Sequence, residues 1–164
     1  MAGASQIVWP ARYDPKNCPV HVRNELTMPA SPDAVWAWLI CAQLWPTWYA
    51  NSSNVRFLKG SPPDLALGTR FTWITFGFPI ESTVLEFVPG ERIAWDGHGF
   101  GLDVYHAWLI EKAGDGCRVI TEETQRGLMP WLGSVLMPKR MWKGHQMWLE
   151  GLRANAAKGG PPNV

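Results

Sequence analysis

The chain has 164 residues, of which 46% are hydrophobic and 18% charged, and its formal net charge is +1. This length and composition are typical of one folded, core-forming domain and exclude an intrinsically disordered protein. The few basic residues are scattered, so a large electrostatic footprint for nucleic acid or anionic lipid is not expected. No apolar run reaches the roughly 18 residues that span a bilayer, so no membrane span is predicted.

The cysteines and the chain ends predict the compartment and the domain limits. Cys18, Cys41 and Cys117 are far apart and lack metal-type spacing, which favours free thiols in a reducing cytoplasm. The first residues also lack the pattern of a signal peptide, so a cytoplasmic protein is expected. Residues 1–16 are predicted as a flexible N-terminal segment and 158–164 as a flexible tail. A single domain is expected at 17–157.

The first predicted elements are a strand and two short helices. Apolar and polar residues alternate over 20–28, which predicts a strand. Ser31 then supplies an N-cap, Pro32 the first helical position and Asp33 an acidic first turn for a helix over 31–40. A second short helix is predicted over 42–49.

From residue 54 to residue 125 the hydrophobic period changes to two. This predicts six more strands, at about 54–59, 69–77, 79–88, 91–97, 103–112 and 116–126. Tight turns set a register that pairs Val84 with Trp95 and His106 with Glu123. The remaining turns pair Phe71 with Val84 and Trp95 with Val104. Two groups of residues fit this register poorly: Glu86, which interrupts the inward pattern, and Ile74, Phe76 and Leu109, which would be exposed.

One face of the predicted sheet carries aromatic residues together with polar groups. The aromatic members are Phe71, Trp73, Trp95 and Trp108, and the polar ones are His106, Glu123 and Gln125. A helical segment over 128–157, kinked or restarted near Pro138, follows the sheet. Its apolar stripe consists of Met141, His145, Trp148, Leu152 and Ala156. A second histidine is therefore predicted to face inward.

The order of these elements resembles the helix-grip (SRPBCC) superfamily, which includes START domains, the birch-pollen-allergen group and the polyketide cyclase/dehydrase-like proteins. The resemblance covers about residues 18–156. It rests on Ser31-Pro-Asp-Ala-Val-Trp36, Trp45-Pro-Thr-Trp48, Gly68-Thr-Arg-Phe71, the hairpin over 84–95 and Thr121-Glu-Glu-Thr124. It implies an α+β fold in which a curved, seven-stranded antiparallel sheet, two short helices and a long C-terminal helix enclose a cavity for a small molecule.

Three functions remain open. The first is binding of a hydrophobic or aromatic small molecule, with ligand contacts from Phe71, Trp73, Trp95, Trp108, Gln125, Met141, His145 and Trp148. The second is a polyketide cyclase/dehydratase-like enzyme in which Glu123 orients His106 as the general base. The third is an interaction module whose eleven tryptophans simply fill the core.

No cofactor or metal is predicted. His106, Glu123 and His145 could in principle form a two-histidine-one-carboxylate site, but they lack the close spacing of typical metal ligands. The aromatic residues are not interleaved with a basic stripe, so nucleic acid is not an expected partner. The expected partner is a hydrophobic small molecule, and no oligomeric state is predicted.

Overall fold

The computed structural model describes residues 6–162 and contains one seven-stranded antiparallel sheet in the order β1-β7-β6-β5-β4-β3-β2. Its strands are β1 (Val20–Met28), β2 (Ser52–Lys59), β3 (Arg70–Thr75), β4 (Phe78–Val88), β5 (Arg92–Gly99), β6 (Leu102–Ala113) and β7 (Gly116–Arg126). The α-helices are α1 (Pro32–Ile40), α2 (Trp45–Trp48), α3 (Leu128–Leu136) and α4 (Arg140–Ala156). The α+β helix-grip architecture implied by the resemblance is confirmed.

Local sequence signals explain where the helices begin and end. Ser31 Oγ accepts a hydrogen bond from the Ala34 amide at 3.2 Å, so the predicted N-cap of α1 is present. The C-terminal helical segment is two helices, α3 and α4, separated by residues 137–139. Pro138 lies in this break, as predicted, because proline lacks the amide hydrogen needed to continue a helix.

The register of the central strands is correct where the turns are tight. Val84 pairs with Trp95, and His106 pairs with Glu123, as predicted. The other two predicted pairings, Phe71 with Val84 and Trp95 with Val104, are each wrong by two residues. Phe71 pairs with Ser82, and Trp95 pairs with His106. A shift of two residues keeps each side chain on its face, so the site-bearing face is unchanged.

The position of the β3–β4 turn explains the first of these errors. Thr75 pairs with Phe78, so the two turn residues are Phe76 and Gly77 and not Gly77 and Phe78. Both have positive φ, at 51° and 82°. That is the backbone required by the tight hairpin turn whose twist matches the adjoining strands.

A β-bulge accounts for the inward pattern that Glu86 interrupts. Val84 pairs with Trp95 but Glu86 pairs with Ala94, so Leu85 is an extra residue in β4. The extra residue reverses the facing of the strand beyond it. Glu86 therefore lies on the outer face, where its carboxylate accepts a hydrogen bond from Arg92 Nε at 2.8 Å.

The outer face of the sheet is partly covered by the N-terminal segment. Tyr13 is buried, stacks on Tyr105 at 5.3 Å between ring centroids, and donates its hydroxyl to Asp103 at 2.6 Å. Tyr13, within the segment predicted to be flexible, therefore contacts the sheet, while residues 1–5 lie outside the described residues. Leu109, predicted to be exposed on this face, is only 3% exposed.

Candidate functional site

A cavity of about 330 Å³ lies between the inner face of the sheet and helices α3 and α4. Its volume falls within the range of small-molecule pockets, roughly 300–1,000 Å³. The interior is therefore not packed solid, which argues against the interaction module with a filled core. The lining is largely apolar and includes Ile80, Trp95, Val104, Leu132, Met141 and Trp148.

Most of the predicted site residues line this cavity. Those that do so are Trp73, Trp95, His106, Glu123, Gln125, Met141, His145 and Trp148. Phe71 and Trp108 are not among the lining residues, and their ligand contacts stay a prediction. Each is at most 1% exposed, because Trp45 packs on Phe71 at 5.8 Å and Trp148 packs on Trp108 at 5.0 Å between ring centroids.

Trp45 of α2 packs against four of the residues that were predicted to contact a ligand. Its indole contacts Phe71, Trp73, Trp95 and Trp148, with ring centroids 5.1–5.8 Å apart. Its Nε1 donates to the carbonyl of Leu39 at 3.0 Å, which holds the ring in place. A protein side chain thus fills one end of the space between sheet and helix, and the cavity is confined to the α3 end.

Three polar side chains from three different elements meet at the inner end of the cavity. Glu123 Oε2 lies 3.2 Å from His106 Nδ1 and 3.2 Å from His145 Nε2. The other carboxylate oxygen accepts a hydrogen bond from Gln125 Nε2 at 2.6 Å. The predicted pair is therefore a triad of β6, β7 and α4, since His145 joins His106 and Glu123.

The hydrogen bonds distinguish the two histidines. His106 Nε2 lies 2.7 Å from Thr121 Oγ1, so both ring nitrogens of His106 face polar partners. His145 Nε2 bonds to Glu123, but His145 Nδ1 is buried and has no partner among residues 6–162. Of the two imidazoles, His145 is the one with a nitrogen left for a ligand.

The electrostatics of the triad follow from burial and from these contacts. Burial alone would raise the pKa of Glu123, but the His145 hydrogen bond, the nearby imidazoles and the Gln125 amide together lower it. Burial lowers the pKa of His106 well below its ordinary value, and the Glu123 carboxylate only partly opposes this shift. At neutral pH the site therefore holds an ionised carboxylate beside a neutral His106 imidazole.

The same three residues are the candidate metal ligands, since their ligand atoms lie within 4.8 Å of one another. The imidazole rings of His106 and His145 are nearly parallel, at 21° with 4.8 Å between centroids. Nitrogen lone pairs lie in the ring planes, so two nearly parallel rings do not direct them at one ion. The described arrangement suits hydrogen bonding to Glu123 better than ligation of a metal.

Sequence reasoning missed the contribution of α3 to the site. Met129, Pro130, Leu132, Leu136 and Met137 line the cavity from the side opposite the sheet. The available signal was the apolar run Leu128-Met-Pro-Trp-Leu-Gly-Ser-Val-Leu-Met137, which was predicted only as the start of a long helix. The structure makes it a short helix over the cavity.

Solved structures of other proteins share this fold. A hypothetical protein from Helicobacter pylori is 34% identical, with 95% of this chain and 99% of that chain covered and a TM-score of 0.87. A START superfamily protein from Mycobacterium smegmatis is 11% identical, with 84% and 97% covered and a TM-score of 0.70.

A third similar structure is the di-domain ARO/CYC protein of the steffimycin biosynthetic pathway. It is 14% identical, with a TM-score of 0.70, and the alignment covers 85% of this chain and 51% of that one. At this identity the likeness concerns the fold alone. No match was found among proteins with curated descriptions.

The sequence itself matches a family model over nearly its whole length. The model is described as polyketide cyclase / dehydrase and lipid transport, and it matches residues 19–157. Those residues contain all seven strands, the four α-helices and every residue of the triad. With its START-like fold and the cavity between its sheet and helices, this chain belongs to the polyketide cyclase/dehydrase and lipid transport family, whose fold is suited to binding small molecules.

Proposed function

We propose that the protein binds a small aromatic or otherwise apolar molecule that carries one hydroxyl-like group. The observation that carries this proposal is the cavity of about 330 Å³ between the sheet and the helices, apolar along its walls and polar at its inner end. Burial of apolar ligand surface would supply most of the affinity, at about 25 cal/mol per Å² before the costs of association. The polar end would fix the ligand's orientation.

Two buried atoms without a partner suit a single polar group on the ligand. Among the described residues, three that line the cavity have a buried side-chain atom without a hydrogen-bond partner: His145 Nδ1, Trp148 Nε1 and Thr75 Oγ1, the last of which interacts with Tyr49. In the neutral tautomer of His145 whose Nε2–H donates to Glu123, Nδ1 is an acceptor, whereas an indole nitrogen is only a donor. A hydroxyl group can donate to the first and accept from the second. Such a ligand would remove the cost of leaving both atoms unpaired.

Filling the cavity is expected to abolish most of this binding. Met141→Trp places a larger side chain on a half-buried, cavity-lining position of α4, and we expect it to weaken 2-naphthol binding about 10-fold or more. Isothermal titration calorimetry with 2-naphthol measures the change. Met147→Trp is the matched control, because Met147 lies on the same helix but is exposed and outside the cavity lining.

A matched pair of ligands tests the polar group separately. Wild-type protein is expected to bind 2-naphthol about 10-fold more tightly than 2-methylnaphthalene, which has the same rings without the hydroxyl. His145→Phe should remove that preference without removing binding. Equal affinities in the wild type would contradict the assigned polar group. Equal weakening by Met141→Trp and Met147→Trp would contradict the cavity as the binding site.

A polyketide cyclase/dehydratase-like enzyme is the second candidate, favoured by the ionised carboxylate beside two imidazoles. The predicted base was His106, with Glu123 orienting it. The hydrogen bonding described above favours His145 instead, since both nitrogens of His106 already face partners. His145 Nδ1 would take a proton from the carbon next to a ligand carbonyl, leaving an enolate, while Glu123 acts as the positioning residue.

Proton exchange tests this candidate without knowledge of the natural substrate. The protein is expected to accelerate deuterium incorporation at the central carbon of 1-benzoylacetone in D₂O, followed by NMR. His145→Gln should lose the acceleration while still binding the compound. No acceleration above an imidazole blank, or equal acceleration by His145→Gln, would reject the enzyme and leave the binding function.

A further inference from the structure

Helix α3 exposes an unusual amount of apolar surface. Of its nine residues only Pro130 is buried, while Leu128, Trp131, Val135 and Leu136 are exposed, the last at 73%. Phe100, in the β5–β6 turn that borders the same cavity, is 94% exposed. Isolated exposed apolar residues are ordinary, but a cluster of this kind marks a surface that contacts another apolar phase.

Helix α3 is apolar both on the side that lines the cavity and on its exposed side. Packing against the rest of the protein can therefore bury only one of these sides. Met129, Pro130 and Leu132 line the cavity, whereas Leu128, Trp131 and Val135 do not. A helix that is apolar all round normally lies inside a protein or in contact with lipid. Within residues 6–162 no helix is long and apolar enough to cross a membrane. The remaining possibility for contact with lipid is a helix lying in the interface.

The charged residues that follow α3 along the chain are all basic as far as residue 149. Lys139, Arg140 and Lys143 follow α3 directly and are exposed. No aspartate or glutamate occurs from residue 127 to residue 149. The net charge of the chain is only +1, so whole-chain composition conceals this local cluster. The expectation that the basic residues are merely scattered does not hold at this position.

We propose that this docking face, defined as α3 with Phe100, Lys139, Arg140 and Lys143, binds an anionic lipid surface. Leucine and tryptophan side chains would enter the region between headgroups and acyl chains, and the three cations would lie near the phosphates. Helices that lie in a membrane interface combine apolar residues with lysine and arginine in this way.

Charge also decides between a membrane and a second copy of the chain. In a two-fold symmetric dimer the same patch lies on both sides of the interface. Each cation cluster would then lie against the copy's patch, in which every charged residue is basic, with no acidic residue in the segment to compensate. An anionic bilayer presents the opposite charge, so it matches both features of the docking face.

Docking here would connect the cavity with the lipid phase. The cavity reaches the surface beside Phe78, Phe100 and Leu136, which line it and are exposed. A ligand dissolved in the bilayer could then enter the cavity without passing through water. This consequence rests on the proposed ligand-binding function, whereas the docking itself does not.

Sedimentation with vesicles tests the docking. The wild-type protein should pellet with vesicles of one-third phosphatidylglycerol and two-thirds phosphatidylcholine, and much less with phosphatidylcholine alone. Trp131→Ala with Val135→Ala should lower the partition coefficient about 10-fold. Lys139→Gln with Lys143→Gln should lower it by roughly 5-fold per lysine at low salt. Neither pair includes a residue that lines the cavity.

Matched variants elsewhere on the surface are the controls. Leu58→Ala with Leu85→Ala removes two exposed apolar residues from β2 and β4, and Lys112→Gln with Lys158→Gln removes two distant exposed charges. Equal losses in the controls, or no binding to the anionic vesicles, would overturn the proposal. So would a dimer in analytical ultracentrifugation that Trp131→Ala with Val135→Ala disperses. Titration with 2-naphthol, done separately, shows whether ligand binding survives a failure of docking.

Discussion

Replacing Trp148 with alanine is expected to lower the free energy of unfolding by about 3–5 kcal/mol. The indole is 1% exposed and stacks on Tyr49 with 4.4 Å between ring centroids. It also contacts Trp45 at 5.1 Å and Trp108 at 5.0 Å. These rings come from α2, the segment after it and β6, so Trp148 joins α4 to the sheet. Its removal leaves a hole that the surrounding rigid rings cannot close.

Chemical denaturation followed by far-ultraviolet circular dichroism measures this loss without relying on tryptophan fluorescence. Trp142→Ala is the matched control, because Trp142 lies on the same helix and is 48% exposed. We expect it to change the free energy of unfolding by less than about 0.5 kcal/mol. If the two variants lose the same stability, the aromatic cluster around Trp148 does not hold α4 on the sheet as described.

Acidification below about pH 6.5 is expected to destabilise the protein through His106. The ordinary pKa of this imidazole is 6.5, and burial lowers it in the folded state. Below that pH the unfolded chain binds a proton that the folded chain does not. The unfolded state is thereby stabilised, and the free energy of unfolding falls. The slope should approach about 1.4 kcal/mol per pH unit once the pH is about one unit below 6.5. Glu123, with its lowered pKa, adds a loss of the same sign only at lower pH, below its ordinary value of 4.5.

The free energy of unfolding, measured at several pH values between neutral and mildly acidic, tests this prediction. His106→Gln replaces the imidazole with a polar group that does not titrate, and the slope attributed to His106 should disappear. His98→Gln removes a histidine whose side chain is 53% exposed, and the slope should persist. A wild-type slope that survives in His106→Gln would assign the acid sensitivity to another group.

The docking face and the cavity predict different experimental signatures. Met141→Trp acts on small-molecule binding, while Trp131→Ala with Val135→Ala acts on partition to vesicles, and the residues involved do not overlap. If both effects are seen, the protein binds an apolar ligand and also docks on a membrane surface. If only the first is seen, it is a small-molecule binder whose exposed helix has another use.

The alternation of residues by itself determined which side chains share a face of the sheet, except in β4 beyond the β-bulge at Leu85. Side chains on a strand alternate with period two, so the two-residue errors at Phe71 and Trp95 left their faces correct. The tight turn between β6 and β7 placed His106 opposite Glu123 for the same local reason. The helical stripe likewise identified His145 and Trp148 as inward-facing. These features depend on neighbours within one element or one hairpin.

Only the tertiary structure decided which of those inward residues meet and what space remains between them. The distance of 3.2 Å from His145 to Glu123 depends on how α4 packs on the sheet, which no local pattern encodes. The exclusion of Phe71 and Trp108 from the cavity depends on the volumes of Trp45 and Trp148, which lie far away in the chain. Periodicity is set by the backbone of each element, whereas a cavity is the volume left when side chains from distant elements have packed.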